Sequence, residues 1–247
     1  MEKPEMFRIS EELEAMPEIE KIRRIRVQQL NYFIFQRNTE ELRQALSFHS
    51  DVKVNFEIWH VTNREKQYAL QHEIGRLLHN FTVAAISLVD VTRRLYKGYE
   101  SGVFPDYQAR LDTDFVSDPL SRFVKDLRNY VAHYEAPPIL SELNFSFLGE
   151  EQSMESQITL PSKTLLKYTD WSKPAKEYIA HCGDKIILDL VVDEYFQKVS
   201  KFYNWFYSRL NDIHAVDLSL IEAKKEELRR AYIPHPADLM QWEDHEE

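Results

Sequence analysis

Residues 65–100 of the chain read EKQYALQHEIGRLLHNFTVAAISLVDVTRRLYKGYE, and this stretch decides the fold class. Its apolar side chains recur at helical spacing, at positions 70, 74, 77, 78, 81, 84, 88, 91 and 95. The pattern predicts one amphipathic helix over about residues 64–97. A helix of this length needs long partners against which to bury its apolar face, which favours a helical bundle.

Several further segments have the spacing or the boundary residues of helices and strands. Asp118 followed by Pro119 is a favourable N-cap and first-turn pair, and Pro137 and Pro138 end the helix that this pair begins. We predict helices over residues 6–48 with a boundary at Pro17, over 118–136, 185–213 and 216–232, a loop over 98–117, a strand over 52–60 and a β-hairpin over 142–148 and 155–160. The predicted fold class is therefore mainly α, a helical bundle with a small β-hairpin insertion near residues 142–160.

The predicted domain organisation is simple. Residues 1–235 form a single helical domain with an N-terminal helical extension, because no repeat, low-complexity linker or clear boundary interrupts them. Residues 236–247 form an acidic, flexible tail. In the N-terminal helices we expect six apolar core residues: Ile19, Ile22, Ile25, Leu30, Phe33 and Phe35.

The composition argues against several classes of site. The chain has 5 glycines in 247 residues, and no two have the spacing of a glycine-rich phosphate loop. The single cysteine, Cys182, excludes an intramolecular disulfide framework and a multi-cysteine zinc site. His72-Glu73 followed by His79 does not have the H-E-x-x-H spacing of a zinc helix. We therefore expect no metal ion and no cofactor.

The net charge of −10 is concentrated at the two ends of the chain. Residues 1–20 carry seven Glu, one Lys and one Arg, and residues 236–247 carry five acidic and no basic residues, so the stretch between them is neutral. An extended DNA-binding groove is not expected, because affinity for duplex phosphates depends on many Lys and Arg contacts. The N-terminus has no apolar secretory signal and no run of 18 apolar residues occurs, so we expect a cytoplasmic protein without a membrane-spanning segment.

One motif on the 118–136 helix combines residues suited to phosphate chemistry. Arg128, Asn129 and His133 form the pattern R-N-x-x-x-H, and the other R-x-x-x-x-H pairs in the chain lack the Asn. At roughly 100° per residue, Arg128 and His133 lie about 140° apart around a straight helix. We therefore expect them to share a site only if the helix bends near His133, or if a second, antiparallel copy faces the first across a twofold axis. The competing interpretation is a solvated polar face on an ordinary bundle helix.

At these residues the chain resembles the HEPN superfamily of helical nucleotide-binding domains. The resemblance covers roughly residues 65–135 and rests on the R-N-x-x-x-H motif after a long amphipathic helix, preceded by His79-Asn80-Phe81, Ser87-Leu88-Val89-Asp90 and Arg93. It implies a helical-bundle homodimer and, as in many members, a metal-independent endoribonuclease in a toxin or defence role. Other members are non-catalytic interaction or RNA-binding modules. The resemblance also implies a polar or acidic supporting residue, for which Asp90 and Asp126 are the candidates.

The chemistry of RNA cleavage suits the three motif residues, because RNA carries its own nucleophile, the 2′-OH. His133 is expected to remove that proton or to protonate the leaving 5′-oxygen. Arg128 is expected to hold the scissile phosphate, and Asn129 to orient the ribose, the phosphate or His133. The predicted function is cleavage of single-stranded RNA by a cytoplasmic homodimer, with 2′-OH attack at a composite site between the two copies. A non-catalytic HEPN-like module, and a structural helical protein with a coincidental motif, are the alternatives.

Overall fold

A computed structural model describes residues 4–50, 63–148 and 151–232 of the chain. The predicted strand over 52–60 and the predicted tail over 236–247 lie outside these residues. The described part is mainly α-helical with a small antiparallel sheet, which confirms the predicted fold class. The helices are α1 (Glu5–Glu14), α2 (Pro17–Ser50), α3 (Arg64–Lys97), α4 (Tyr107–Leu111), α5 (Pro119–His133), α6 (Ser162–Leu165), α7 (Lys173–His181), α8 (Leu188–Ile213) and α9 (Ala215–Ala231); a π-helical segment occupies Asp112–Val116, and the strands are β1 (Leu140–Leu148), β2 (Glu151–Pro161) and β3 (Lys185–Ile187).

The chain divides into two compact units, one of residues 28–206 and one of residues 1–27 with 207–247. In the smaller unit, α1 packs against α9. Lys224 on α9 forms an ion pair with Glu12 on α1 at 2.5 Å. The prediction of a single domain over residues 1–235 stays a prediction.

Helix α3 is the central element of the larger unit and has the predicted bounds. Ten of its side chains are buried, and they recur at the helical spacing read from the sequence. Among the described residues, α3 is the one helix long and apolar enough, by length and composition alone, to cross a membrane. Its buried face packs inside the unit, where Phe81 lies 5.7 Å from Phe35 of α2, and this burial is compatible with a soluble protein.

Helix α2 buries only one narrow row of side chains, and several of its apolar residues lie outside this seam. Its buried positions are 25, 28, 35, 39, 42, 46 and 49, a heptad-like spacing, and three of them carry the polar residues Gln28, Thr39 and His49. Ile25 and Phe35 are in the core as predicted. The prediction for Leu30 and Phe33 is wrong, because both point away from the seam and are 56% exposed.

The predicted hairpin is present and is part of a three-stranded antiparallel sheet in the order β1-β2-β3. Leu140 pairs with Thr159, and Thr159 pairs with Ile187 on its other side. Residues 185–187 therefore extend the sheet, and the helix predicted over 185–213 begins three residues later, at Leu188. The predicted loop over 98–117 is also wrong in its second half, where α4 and the π-helical segment lie.

Candidate functional site

Helix α5 begins where its sequence predicts. The Asp118 carboxylate accepts a hydrogen bond from the Ser121 backbone N–H at 2.8 Å, and Pro119 fills the first helical position, where no N–H is needed. The other carboxylate oxygen of Asp118 pairs with Lys198 of α8. The N-terminus of the helix is thus fixed both within the helix and to a neighbouring one.

One face of α5 is fully buried and holds the helix in place. Phe123 lies between two aromatic rings, with its centroid 5.6 Å from that of Trp171 and 5.0 Å from that of Tyr178. Helical spacing predicts an apolar stripe of Leu120, Phe123, Val124, Leu127, Tyr130, Val131 and Tyr134, and the first five of these residues are buried. Because packing fixes this face, the position of the polar residues on the rest of the helix is fixed too.

The structure brings Arg128 and His133 together within one chain. Nη1 of Arg128 lies 3.2 Å from Nε2 of His133. The backbone is α-helical as far as His133, where the Tyr130 carbonyl accepts a hydrogen bond from the Tyr134 N–H at 2.9 Å. The contact forms within one chain, so a second copy is not needed to bring the two side chains together. The long arginine side chain spans the angle that separates the two Cα positions.

The hydrogen-bonding capacity of the two groups limits the roles that they can take in this contact. A guanidinium only donates, so a hydrogen bond here requires Nε2 of His133 to be the acceptor, with the proton of a neutral imidazole on Nδ1. The same Nη1 lies 3.3 Å from Oδ1 of Asn129, which also accepts. The three motif residues therefore form one connected cluster, with the exposed imidazole at its outer end.

Arg128 has donor capacity left over. Its Nε is buried and has no hydrogen-bond partner within the part of the chain that the structure describes. A buried N–H without an acceptor is costly, and an anion that reaches it recovers that cost. The guanidinium thus has the features of an oxyanion-binding group.

The two proposed supporting carboxylates do not join this cluster. Asp126 is 7% exposed, and its carboxylate accepts a hydrogen bond from the Ser172 N–H at 2.7 Å, which fixes the start of α7. Asp90 on α3 is exposed and pairs with Arg93 at 3.1 Å. Among the described residues, no hydrogen bond or ion pair connects either carboxylate with Arg128 or His133.

The second R-x-x-x-x-H pair has a different arrangement. Arg209 pairs with Asp212 at 3.3 Å, and Nδ1 of His214 lies 2.7 Å from Asp217. Each of these two side chains therefore has a carboxylate partner of its own. The third pair ends at His235, outside the described residues. Of the two R-x-x-x-x-H pairs within the described residues, the guanidinium and the imidazole contact each other in the Arg128–His133 pair.

Aromatic rings lie beside the end of α5. Tyr134 follows His133 directly and is 50% exposed, and its ring centroid is 5.0 Å from that of Tyr168. Tyr130 lies 5.2 Å from Tyr134, and burial together with Glu135 raises the pKa of Tyr130 to about 12. The prediction that Tyr134 belongs to the apolar stripe of buried residues is wrong, because its side chain is half exposed. Its contact with Tyr168 is not predicted by any spacing, because the two residues meet only through tertiary packing.

The two histidines of α3 line an open groove near the same end of α5. The groove has a volume of about 400 Å³, and His72, Arg76 and His79 of α3 face Val131 and Pro137 across it. Within residues 4–50, 63–148 and 151–232, no three His, Cys, Asp or Glu side chains lie close enough together to hold a metal ion.

Comparison of the chain with protein-family models, with characterised proteins and with solved structures gave no match.

Proposed function

We propose that the protein is a metal-independent endoribonuclease in which Arg128 and His133 act on a phosphodiester of single-stranded RNA. The observation that carries the proposal is the 3.2 Å contact between Arg128 Nη1 and His133 Nε2 at the exposed end of α5. In this contact a guanidinium, which can bind an anion, lies next to an imidazole nitrogen that can act as a base once a phosphate takes its place as the acceptor for Arg128, and this pairing suits 2′-OH attack.

The reaction follows from the two groups. An RNA phosphate replaces the imidazole as the acceptor for Arg128, and Nε2 of His133 then takes the proton of the adjacent 2′-OH. The 2′-oxygen attacks phosphorus, the bond from phosphorus to the 5′-oxygen breaks, and the leaving oxygen takes a proton from solvent. The products are a 2′,3′-cyclic phosphate and a 5′-OH end. Asn129 keeps the guanidinium in position through its Oδ1 contact at 3.3 Å.

The surroundings favour an unpaired strand as substrate. The exposed ring of Tyr134 lies one residue from His133 and packs against Tyr168, so a splayed base has an aromatic surface on which to stack. The net charge of −10 gives little general attraction to nucleic acid. Recognition therefore depends on local contacts at α5 and not on a broad basic surface.

We also propose a cytoplasmic homodimer. Leu30, Phe33 and Ile34 on α2 are each at least 42% exposed, and neighbouring exposed apolar side chains favour association. Because Arg128 and His133 already meet in one chain, dimerisation adds a second site and is not needed to complete the first. Light scattering after size exclusion is expected to give the mass of a dimer, and Phe33→Glu that of a monomer.

The test is cleavage of a single-stranded RNA pool in EDTA by the purified full chain. Removing a general base lowers rates by roughly 10²–10⁴-fold, so we expect His133→Ala to lose at least about 100-fold. Arg128→Ala is expected to lose about 10²–10³-fold and Arg128→Lys less, because Lys keeps the charge but not the planar donor pair. The product ends are identified by labelling: a kinase is expected to label the 5′-OH end directly, without prior phosphatase treatment, whereas a 5′-phosphate end would need that treatment first.

Two control variants make the same substitutions, His to Ala and Arg to Ala, at exposed positions away from the proposed site. His181→Ala changes a histidine at the end of α7, and Arg94→Ala an arginine near the end of α3. Both are expected to cleave as the wild type does, and circular dichroism confirms that all variants are folded. A wild type that leaves the RNA intact, or a His133→Ala variant that cleaves at the wild-type rate, refutes the proposal. A folded, inactive dimer supports the non-catalytic module instead.

A further inference from the structure

The larger unit contains a cavity that the proposed reaction does not use. It has a volume of about 230 Å³ and is lined by residues of α2, α3, α4, the π-helical segment, α5 and α8. Apolar side chains supply most of its lining, among them Phe35, Leu88, Val199 and Phe202. An apolar cavity of about 150 Å³ is sufficient for benzene, so this one accommodates a somewhat larger apolar group.

One wall of the cavity has an unusual backbone. Phe115 and Val116 line it from the π-helical segment, and the Phe115 ring meets Phe202 edge-on at 5.2 Å. An ion pair between Arg110 and Asp114 at 2.7 Å fixes the same segment. π-Helical turns are rare and occur often at functional sites, so this wall is an observation independent of the volume.

The polar part of the lining has an excess of positive charge. Arg93, Arg122 and Lys125 line the cavity together with a single carboxylate, Asp90. Asp90 pairs with Arg93 at 3.1 Å. Within the described residues, Arg122 and Lys125 have no carboxylate partner, and Nε of Arg122 is buried without a hydrogen-bond acceptor. Two cations without a carboxylate partner among the described residues therefore lie beside an apolar cavity.

We infer that this cavity binds a small amphipathic anion, with an apolar body in the aromatic interior and a carboxylate or phosphate on Arg122 and Lys125. The apolar lining provides the affinity for the body, and the two cations provide charge-assisted hydrogen bonds to the anionic group. The site is distinct from the proposed nuclease site, because Arg128, Asn129 and His133 do not line the cavity. The inference does not depend on RNA cleavage.

The test is calorimetric titration of the full chain with 1-naphthylacetate and with its uncharged analogue 2-(1-naphthyl)ethanol. We expect the anion to bind at least about tenfold more tightly than the alcohol, because a hydrogen bond to a charged group contributes about that factor. The double variant Arg122→Gln/Lys125→Gln is expected to reduce the affinity for the anion by about tenfold or more and to leave the alcohol nearly unchanged.

Two further variants make the outcome specific to this cavity. Val89 is 37% exposed and lines the cavity, so Val89→Trp obstructs it without overpacking the core and is expected to weaken binding of both compounds. Lys163→Gln/Lys176→Gln makes the same charge change at exposed positions outside the lining and is expected to bind as the wild type does. Failure of the wild type to bind 1-naphthylacetate overturns the inference. So does equal binding by the wild type, the Arg122/Lys125 variant and Val89→Trp, since the compound then binds elsewhere.

Discussion

His49 couples the stability of the larger unit to pH. The side chain is 2% exposed, near the end of α2, and its ring contacts two hydroxyls of the sheet: Nδ1 lies 3.1 Å from Ser156 Oγ, and Nε2 contacts Ser141 Oγ. Burial lowers the pKa of His49 from 6.5 to about 4. In the unfolded chain the imidazole takes up a proton below its ordinary pKa of about 6.5, whereas in the folded chain it does so only near pH 4.

The direction and size of the effect follow from this difference. The unfolded state binds more protons between the two pKa values, so acidification favours unfolding through this range. The contribution of His49 is fully present above about pH 6.5 and is lost as the pH falls towards 4. The change from 6.5 to about 4 corresponds to about 3 kcal/mol in the free energy of unfolding.

The assay compares urea denaturation of the wild type and His49→Gln at a series of pH values. Acidic side chains also titrate at low pH, but they are common to both proteins and cancel in the difference. The wild type is expected to be more stable by about 1–3 kcal/mol near neutral pH, because the glutamine leaves a hydroxyl of the sheet poorly paired. This advantage is expected to shrink by about 3 kcal/mol by pH 4.

The control is His181→Gln, which removes a histidine at an exposed position. A stability difference between the wild type and His49→Gln that stays constant within about 0.5 kcal/mol from neutral pH to pH 4 refutes the reasoning, since the buried ring is then not what links folding to pH.

Three further variants test the packing around α5 and α3 by chemical denaturation. Phe123→Ala removes a fully buried ring and is expected to lower the free energy of unfolding by about 3–5 kcal/mol; a loss below about 1 kcal/mol contradicts its place in the core. Asp126→Ala leaves the Ser172 N–H without its acceptor and is expected to cost about 1–3 kcal/mol, with RNA cleavage unaffected once folding is accounted for; a selective loss of cleavage restores Asp126 as a supporting residue. Gly75→Ala is expected to stabilise by about 0.5–1 kcal/mol, because the added methyl lies 3.5 Å from Ile139 in ordinary contact; any destabilisation shows that the contact is tighter.

Local signals in the sequence were sufficient for the elements that depend on local energetics. The apolar repeat of α3, the Asp118–Pro119 start of α5 and the boundary at Pro17 are all present where they were predicted. These features arise from helix periodicity, capping and the geometry of proline, which act within a few residues. The short elements between 98 and 117 were missed because no periodic pattern develops over five residues.

Tertiary contacts decide which residues of α2 are buried. Leu30 and Phe33 are apolar but exposed, whereas Gln28 and His49 are polar but buried, because their hydrogen bonds to Thr92 and to the hydroxyls of the sheet offset the cost of burial. These partners come from segments far away in the sequence. No pattern within α2 therefore identifies the buried face.

The candidate site depends on both the local sequence of α5 and the tertiary structure. The sequence by itself determined that Arg128, Asn129 and His133 lie near the end of one helix, because helix-forming and helix-ending residues surround them. Only the tertiary structure decided that the guanidinium reaches the imidazole, that Asp126 serves the start of α7, and that Tyr168 packs on Tyr134. Side-chain rotamers and contacts between distant segments depend on how the whole unit packs, and helix periodicity contains no information about either.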